Sequence, residues 1–230
     1  LVNASFEDWR KQNPTASLAE YKLDFATMKK SAGALLDFNK LDNISKNFIA
    51  TLTAEEVFEN VQAWAKENNE TLFTLIQEQS EYITSIFGIE RTGTDKVRKD
   101  YAKWIDIESS IAFFFDKGFE NSLNAIAANA ENIEKDTIKQ VITSYAETYN
   151  PALTKDEWFD DLKDQGAKFG FAANKKEQKA DPEKYIGNIA DFSKILRCAV
   201  TGQPQSPDLH QIMQVMGTQM VKARLAKAIS

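Results

Sequence analysis

The chain has 230 residues, with 28 Lys and Arg against 34 Asp and Glu, one His, one Cys, nine Gly and five Pro. This length suits one large or two small domains, and the low Gly and Pro content argues against a turn-rich β-sandwich or β-barrel. One Cys excludes an internal disulfide framework, and one His with one Cys cannot complete a zinc site built from those ligands.

The compartment follows from the same composition. A single Cys is typical of a reducing environment, and the apolar runs are too short to span a bilayer. The first residues lack the basic and apolar regions of a signal peptide. We therefore expect a cytoplasmic protein. Because the chain does not begin with Met, we also expect it to be a piece of a longer one.

Charge is distributed unevenly along the chain. Residues 162–230 contain 11 Lys and Arg against 6 Asp and Glu, a net charge of +5, whereas residues 1–161 contain 17 against 28, a net charge of −11. A basic end joined to an acidic body is expected where one end of a protein meets a polyanion. Chance variation among solvated surfaces would produce the same pattern, so charge alone leaves both interpretations open.

Helical periodicity runs through most of the chain. Thr53 and Glu56 form a capping-box pattern at the start of a helix that ends near residue 68. A second capping-box pattern, Thr154 with Glu157, opens a helix over 154–169. Further helices are predicted over 70–87, 97–116, 120–129 and 131–148.

The C-terminal third continues the helical pattern after a loose, basic connection over 166–182. A helix follows over 189–200. The next helix is predicted to begin with Ser206 as its cap and Pro207 as its first residue, and its inner face extends to Gly217. No strand alternation persists for more than a few residues. The sequence therefore predicts an all-α fold, a multi-helix bundle.

No group of residues has the pattern of a catalytic centre. His210 has no second His to work with, and Cys198 lies in an apolar run that is typical of a core. Residues 27–31, Thr-Met-Lys-Lys-Ser, resemble the ATP loop of class I aminoacyl-tRNA synthetases, but no βαβ pattern or Gly-rich phosphate turn accompanies them. We therefore expect no catalytic residue, no metal and no cofactor in this chain.

Two basic clusters have the chemistry to hold phosphates or unstacked bases. The first surrounds a Gly-containing loop and comprises Arg91, Lys96, Arg98, Lys99 and Lys103. The second comprises Lys194 and Arg197, with Lys175, Lys176 and Lys179 upstream. Since Arg197 follows Lys194 by three residues, both can project from one helix face.

The C-terminal region carries the most specific motif. It reads Leu-Arg-Cys-Ala-Val-Thr-Gly over 196–202, then Ser-Pro-Asp-Leu-His-Gln-Ile-Met-Gln-Val-Met-Gly over 206–217, with Arg224-Leu225 in the last helix. This resembles the C-terminal end of bacterial glutamyl-tRNA synthetases, in which Leu-Arg-x-Ala-Leu-Thr-Gly precedes Pro-x-Leu-x-Glu-Ile-Met-x-x-Leu-Gly. Upstream stretches over 6–10, 33–38 and 40–47 agree as well, so the resemblance covers essentially the whole chain.

The resemblance implies the helical, anticodon-binding portion of a class I aminoacyl-tRNA synthetase. It implies a connecting, stem-contacting domain over 1–90 and an anticodon-binding domain over 91–230, divisible near 150–153. The family's His-Ile-Gly-His signature for ATP is absent, so ATP and Mg²⁺ are expected to belong to a catalytic domain outside this chain. The expected partner is tRNA(Glu), bound by a monomer, without DNA or membrane.

Contacts to the tRNA are carried over by motif. The expected anticodon contacts are Arg98, Lys99, Lys194, Arg197, Ser206, Pro207 and Leu209. Arg98 matches an arginine at a helix start that reads the third anticodon base, although Lys99-Asp100 stand where the family has Pro-Arg. The expected contacts to the tRNA backbone are Lys40, Lys46, Lys175 and Lys176.

Two other functions are compatible with parts of the sequence. A helical scaffold could bind another protein through its acidic body. A helix-turn-helix DNA reader could be built from residues 189–216, but the turn is long for that motif and the second helix has few base-reading side chains. Binding to tRNA against binding to duplex DNA separates these functions.

Overall fold

The structure is a computed structural model that describes residues 4–22, 37–94, 97–119, 121–130 and 132–230. The synthetase-like segment 27–31 lies outside these residues. The described helices before residue 130 are α1 Ala4–Gln12, α2 Phe38–Ile49, α3 Ala54–Asn68, α4 Glu70–Glu78, α5 Ser80–Gly88, α6 Asp106–Ile111 and α7 Leu123–Ala128. Those after it are α8 Lys135–Thr148, α9 Lys155–Lys168, α10 Lys175–Ala180, α11 Ile189–Thr201 and α12 Leu209–Ala228. The all-α prediction is confirmed.

By their contacts the residues form two compact units, Leu1–Ile44 and Ser45–Ser230. In the first unit, Arg10 Nη1 donates to the Ala16 carbonyl at 2.7 Å. The second unit contains the main core. Residues on both sides of position 90 lie in this second unit. The domain boundary that we expect at residues 90 and 91 stays a prediction. Along the described residues, no helix has the length and apolarity needed to cross a membrane.

The core of the second unit is built mainly from helices that pack in pairs. α11 packs on α12, both contact α8, and α3 packs on α4 and α5. Both capping boxes are confirmed: the Thr53 hydroxyl accepts from the Glu56 amide, and the Thr154 hydroxyl from the Glu157 amide. Each cap satisfies amide groups that the first helical turn leaves without partners.

A buried arginine ties the end of α12 to the middle of the chain. Arg224 is 2% exposed, and its Nη1 donates to the Phe113 carbonyl at 2.8 Å. Its guanidinium carbon lies 3.5 Å from the centroid of the Phe119 ring, and its Nη2 lies 3.4 Å from Asp116 Oδ1. The Arg-Leu pair of the C-terminal motif is therefore part of the core, since Leu225 is buried as well.

Two of the predicted helices are wrong in extent. The helix predicted over 70–87 is two helices, because Gln79 leaves the helical region with φ −133° and ψ 40°. The helix predicted over 97–116 is reduced to α6 and short 3₁₀ turns. Asp106 Oδ2 accepts from the amides of Ala102 and Lys103 at 3.3 and 3.0 Å. Such local side-chain bonds favour turns over helix, so α6 begins only at Asp106.

The basic connection over 166–182 is more ordered than predicted. It contains β1 (Phe171–Ala172), which pairs in parallel with β2 (Gly187–Asn188), and it also contains α10. Lys175 and Lys176, expected in a flexible segment, form the exposed first turn of α10 instead. The side chain of Asn174 accepts from the Glu177 amide, and this cap allows the short helix to start there.

The start of α12 also differs from prediction. Its cap is Asp208, whose Oδ1 accepts from the Gln211 amide at 2.9 Å, so Ser206 and Pro207 belong to the preceding turn. The predicted break at Gly217 is confirmed: its φ of +76° is outside the helical region and is readily adopted only by glycine.

Candidate nucleic-acid interface

Arg197 holds the turn that separates α11 from α12. Gly202 ends α11 in the left-handed region, with φ +71°, and the chain turns back toward Arg197. Arg197 Nη1 donates to the carbonyls of Ser206 at 3.1 Å and Pro207 at 2.6 Å, and also to the Ser206 hydroxyl. Burial lowers the pKa of Arg197 from its usual value, although Asp208 partly opposes this shift.

Arg98 reaches the same turn from a distant part of the chain. Its Nη1 lies 3.4 Å from the Ser206 carbonyl oxygen. Its Nε and Nη2 donate to the Asp100 carboxylate at 2.9 and 2.8 Å, and Glu90 lies 3.5 Å from Nε. The hydrogen bonds to Asp100 raise the pKa of Arg98 above its usual value. Two arginines 99 residues apart in sequence therefore share one carbonyl acceptor.

A carboxylate of the neighbouring loop fixes this turn from the other side. The Asp208 amide donates to Glu90 Oε2 at 2.9 Å, and the Glu90 amide donates to Gln211 Oε1 at 2.7 Å. These bonds hold Glu90 at φ +50°, which is uncommon for a residue with a side chain. The loop after α5 and the start of α12 therefore form one frame around the Ser206–Pro207 turn.

Lys155 completes the frame at the start of α9. Its Nζ lies 2.7 Å from Asp208 Oδ2, and this hydrogen bond raises the pKa of Lys155. Burial acts to raise the pKa of Asp208, but its bonds to Lys155 and to the Gln211 amide outweigh burial and lower it. Asp208 is thus held as a carboxylate, which suits a helix cap.

Beyond Arg197, an open groove of about 630 Å³ follows the exposed side of α11. Its lining residues are Asn129, Phe159, Ile189, Ala190, Ser193, Lys194, Arg197, Pro204 and Gln205. A second groove of about 430 Å³ shares Asn129 and Lys194 with the first. The cluster predicted around Lys194 and Arg197 therefore lies along a continuous concave surface.

The other predicted contact residues are placed differently. Lys99 is exposed beside Arg98, and Lys46 is partly exposed on α2. Lys40 is exposed on the part of α2 that belongs to the first compact unit. Leu209 is only 2% exposed, because it begins the inner face of α12. The predicted contact between its side chain and a base is therefore not supported by its position.

The single His and Cys have structural positions. His210 Nε2 lies 2.9 Å from the Leu153 carbonyl oxygen and its ring lies 5.4 Å from that of Trp158. Cys198 is 3% exposed, and burial raises the pKa of its thiol, which keeps it protonated. Over the described ranges, no cluster of three His, Cys, Asp or Glu side chains could hold a metal ion.

Sequence reasoning missed four residues of this surface: Glu90, Asp100, Asp208 and Phe159. Asp208 carried a usable signal, since aspartate is a preferred helix cap one residue after Pro207. Asp100 was noted only as a departure from the family pattern. Glu90 and Phe159 carried no signal, because their positions depend on tertiary packing.

The chain is similar to known proteins, both in its C-terminal region and over its whole length. Residues 184–229 match the family described as an anticodon binding domain. The glutamate–tRNA ligases of Clostridium perfringens and Clostridium beijerinckii are 35% and 36% identical to the chain over 230 and 231 residues. That of Sorangium cellulosum is 33% identical over 227 residues. These alignments cover 99–100% of this chain and 39–41% of each relative, so the chain spans about two fifths of their length.

The match to the anticodon binding domain spans α11 and α12, the two helices that the Ser206–Pro207 turn joins. Over its whole length, the chain is similar to part of the glutamate–tRNA ligases. The resemblance predicted from the C-terminal motif is confirmed.

Proposed function

We propose that this chain binds tRNA(Glu) and recognises its anticodon, as part of a longer glutamate–tRNA ligase. The observation that carries the proposal is the convergence of Arg98 and Arg197 on the Ser206–Pro207 turn. The motif assigns both arginines to base contacts, and their meeting at one partly exposed turn supports a shared binding surface. Planar guanidinium groups can both hydrogen-bond a base edge and stack on its face.

In this proposal the cations divide into two groups. Arg98 and Arg197 contact splayed bases, and the lysines of the chain neutralise phosphates. The grooves beside Lys194 supply a concave surface that a looped-out strand can follow. The ligase reaction itself, with its ATP and Mg²⁺, belongs to a part of the longer protein outside this chain. We also propose that the chain acts in the cytoplasm as a monomer.

Binding titrations test this function. The chain should bind tRNA carrying the glutamate anticodon more tightly than the same tRNA with an exchanged anticodon, and more tightly than duplex DNA. The logarithm of the binding constant should fall with the logarithm of the salt concentration, with a slope of a few units, because only a handful of cations face phosphates. Anticodon-independent binding would reject base recognition, and a flat salt response would favour a protein partner instead.

A catalytic assay provides the complementary test. The isolated chain should not support ATP–pyrophosphate exchange in the presence of glutamate and tRNA, because the described residues contain no nucleotide-binding α/β fold. Exchange by the purified chain, sensitive to substitution of its own residues, would contradict the proposed division of labour.

A further inference from the structure

An exposed aromatic ring stands beside the predicted base contacts. Phe159 on α9 is 41% exposed although most aromatic side chains of the second unit pack into the core. Lys163 Nζ lies 4.5 Å from the centroid of its ring, and Asp160 holds this ammonium at 2.7 Å. The ring also lines the groove that contains Lys194 and Arg197.

The lining of this groove differs from that of its neighbours in charge. None of the lining residues is acidic, although the chain contains 34 Asp and Glu. The adjoining groove contains Asp191, and a third groove nearby contains Glu134 and Asp136. Of these three grooves, the groove beside Phe159 therefore has the lining that best suits an anionic strand.

Hydrogen-bond donors remain available along the groove. Within the described part of the chain, the Lys194 ammonium makes no hydrogen bond or ion pair. The hydrogen bonds of Arg197 to the turn all use Nη1, which leaves Nε and Nη2 as donors. Gln205 adds an amide group, whereas the Asn129 amide already donates to the Ala125 carbonyl at 2.9 Å. An aromatic face combined with cations and amides is the chemistry by which proteins bind an unpaired nucleotide.

We propose that this groove is a subsite for one unpaired nucleotide of the anticodon loop, with its base stacked on Phe159 and its phosphate next to Lys194. The proposal rests on the proposed function and adds to it a stacking residue that the C-terminal motif does not contain. Because every base has a π-face, Phe159 contributes affinity at this position and the hydrogen-bonding groups around it contribute selectivity.

The test compares Phe159→Leu with Phe159→Trp. Leucine keeps an apolar side chain but removes the ring, so binding of an anticodon stem-loop RNA should weaken by roughly 5- to 150-fold, the range that loss of one base–aromatic stack covers. Tryptophan keeps a stacking surface and should retain the affinity. Phe48→Leu is the matched control, because Phe48 is 61% exposed on α2 and lies outside the groove.

Fluorescence identifies the stacked position directly. With 2-aminopurine placed in turn at each loop position of the RNA, the wild-type chain should quench one position more than the others, and Phe159→Leu should relieve that quenching. Thermal unfolding followed by circular dichroism checks that each variant is folded.

The outcomes separate the two proposals. If the wild-type chain binds the RNA and Phe159→Leu binds equally well, the stacking subsite is rejected and the proposed function stands. If Trp and Leu variants lose affinity equally, or Phe48→Leu loses as much, a stacking role for the ring is rejected. If the wild-type chain binds no tRNA, both proposals are rejected.

Discussion

At the residue scale, the arginines of the candidate site act on the protein as well as on its proposed ligand. One nitrogen of Arg197 is committed to the Ser206–Pro207 turn, and the fork of Arg98 is occupied by Asp100. A guanidinium can serve both roles because its five donors point in fixed directions. The turn is therefore positioned by the same side chains that the motif assigns to the bases.

Arg197 and the lysines of α10 should have different effects on selectivity. Arg197→Ala should weaken binding of the cognate tRNA by about 1–3 kcal/mol, because a base contact and the support of the turn are both lost. It should also reduce the difference in affinity between the cognate tRNA and its anticodon variants. Replacing Lys175 and Lys176 by Ala should weaken all tRNAs alike and reduce the salt slope by about one to two units. Titrations of both variants with cognate and anticodon-exchanged tRNA at several salt concentrations measure these effects. If Arg197→Ala weakens the binding of every tRNA equally, the assignment of Arg197 to a base contact is rejected.

Asp100 should limit the affinity of the site. Its carboxylate neutralises Arg98 and stands near a proposed polyanion site, so Asp100→Asn should tighten binding of every tRNA by about two- to tenfold and steepen the salt slope by about one unit. Glu59→Gln is the control, since Glu59 is exposed on α3, which lines neither groove beside Lys194. Weaker binding by Asp100→Asn would mean that the carboxylate holds Arg98 in its working orientation.

The site could be predicted from sequence only where its parts are close in the chain or belong to the motif. Arg197, Ser206 and Pro207 lie within ten residues of one another, and a short turn after a glycine brings them together. Arg98 was found through the family resemblance. Its bond to the Ser206 carbonyl spans 108 residues, and no local pattern encodes such a contact.

At the element scale, the helix starts marked by a capping box were predicted better than helix lengths. The capping boxes at Thr53 and Thr154 are local patterns of four residues, so their signal is complete in the sequence. The error over 97–116 has a different origin, because apolar content predicted a long helix there. The bonds of Asp106 to preceding amides and of Arg98 to Asp100 stabilise an irregular segment instead.

Replacing glycine by alanine at two positions tests these backbone arguments, because the expected changes in stability have opposite signs. Gly217→Ala should destabilise the fold by about 1–3 kcal/mol, because φ +76° and ψ 160° are strained for alanine even though the space is open. Gly166→Ala in α9 should stabilise it by about 0.5–1 kcal/mol, because the added carbon meets neighbours at 3.5–3.6 Å, an ordinary contact distance. Urea unfolding measures both changes, and a loss of stability in Gly166→Ala would show that this packing is tighter than the distances indicate.

At the scale of the whole molecule, the basic region 162–230 supplies most of the proposed interface. The Ser206–Pro207 turn and most of the lining of the groove beside Phe159 belong to this region, whereas Arg98 and Phe159 come from the acidic remainder. In the proposed function, the acidic excess of the remaining chain disfavours binding of the polyanion at other surfaces, because like charges repel.

Alkaline pH should destabilise the second unit. Burial raises the pKa of Tyr82 and of Tyr101 to about 12, from an ordinary value of 10.0. The folded state keeps these phenols protonated. Their contribution to the free energy of unfolding is therefore present below pH 10 and is lost as the pH rises from 10 to 12. For each tyrosine, the free energy of unfolding falls by roughly 1.4 kcal/mol per pH unit in that range, and by less for the partly exposed Tyr82. Urea unfolding at stepped pH, with phenolate absorbance at 295 nm, measures it; unchanged stability up to pH 12 would contradict the burial argument.

The buried guanidinium of Arg224 has a consequence for the order of events during synthesis. The Phe113 carbonyl and the Phe119 ring both contact a guanidinium that is made more than a hundred positions later. Contacts of such sequence separation form late, since the intervening loop must close first. A nascent chain that has not yet released Arg224 from the ribosome therefore exposes Phe113, Phe114 and Phe119. We expect this apolar surface to attract chaperones until α12 docks.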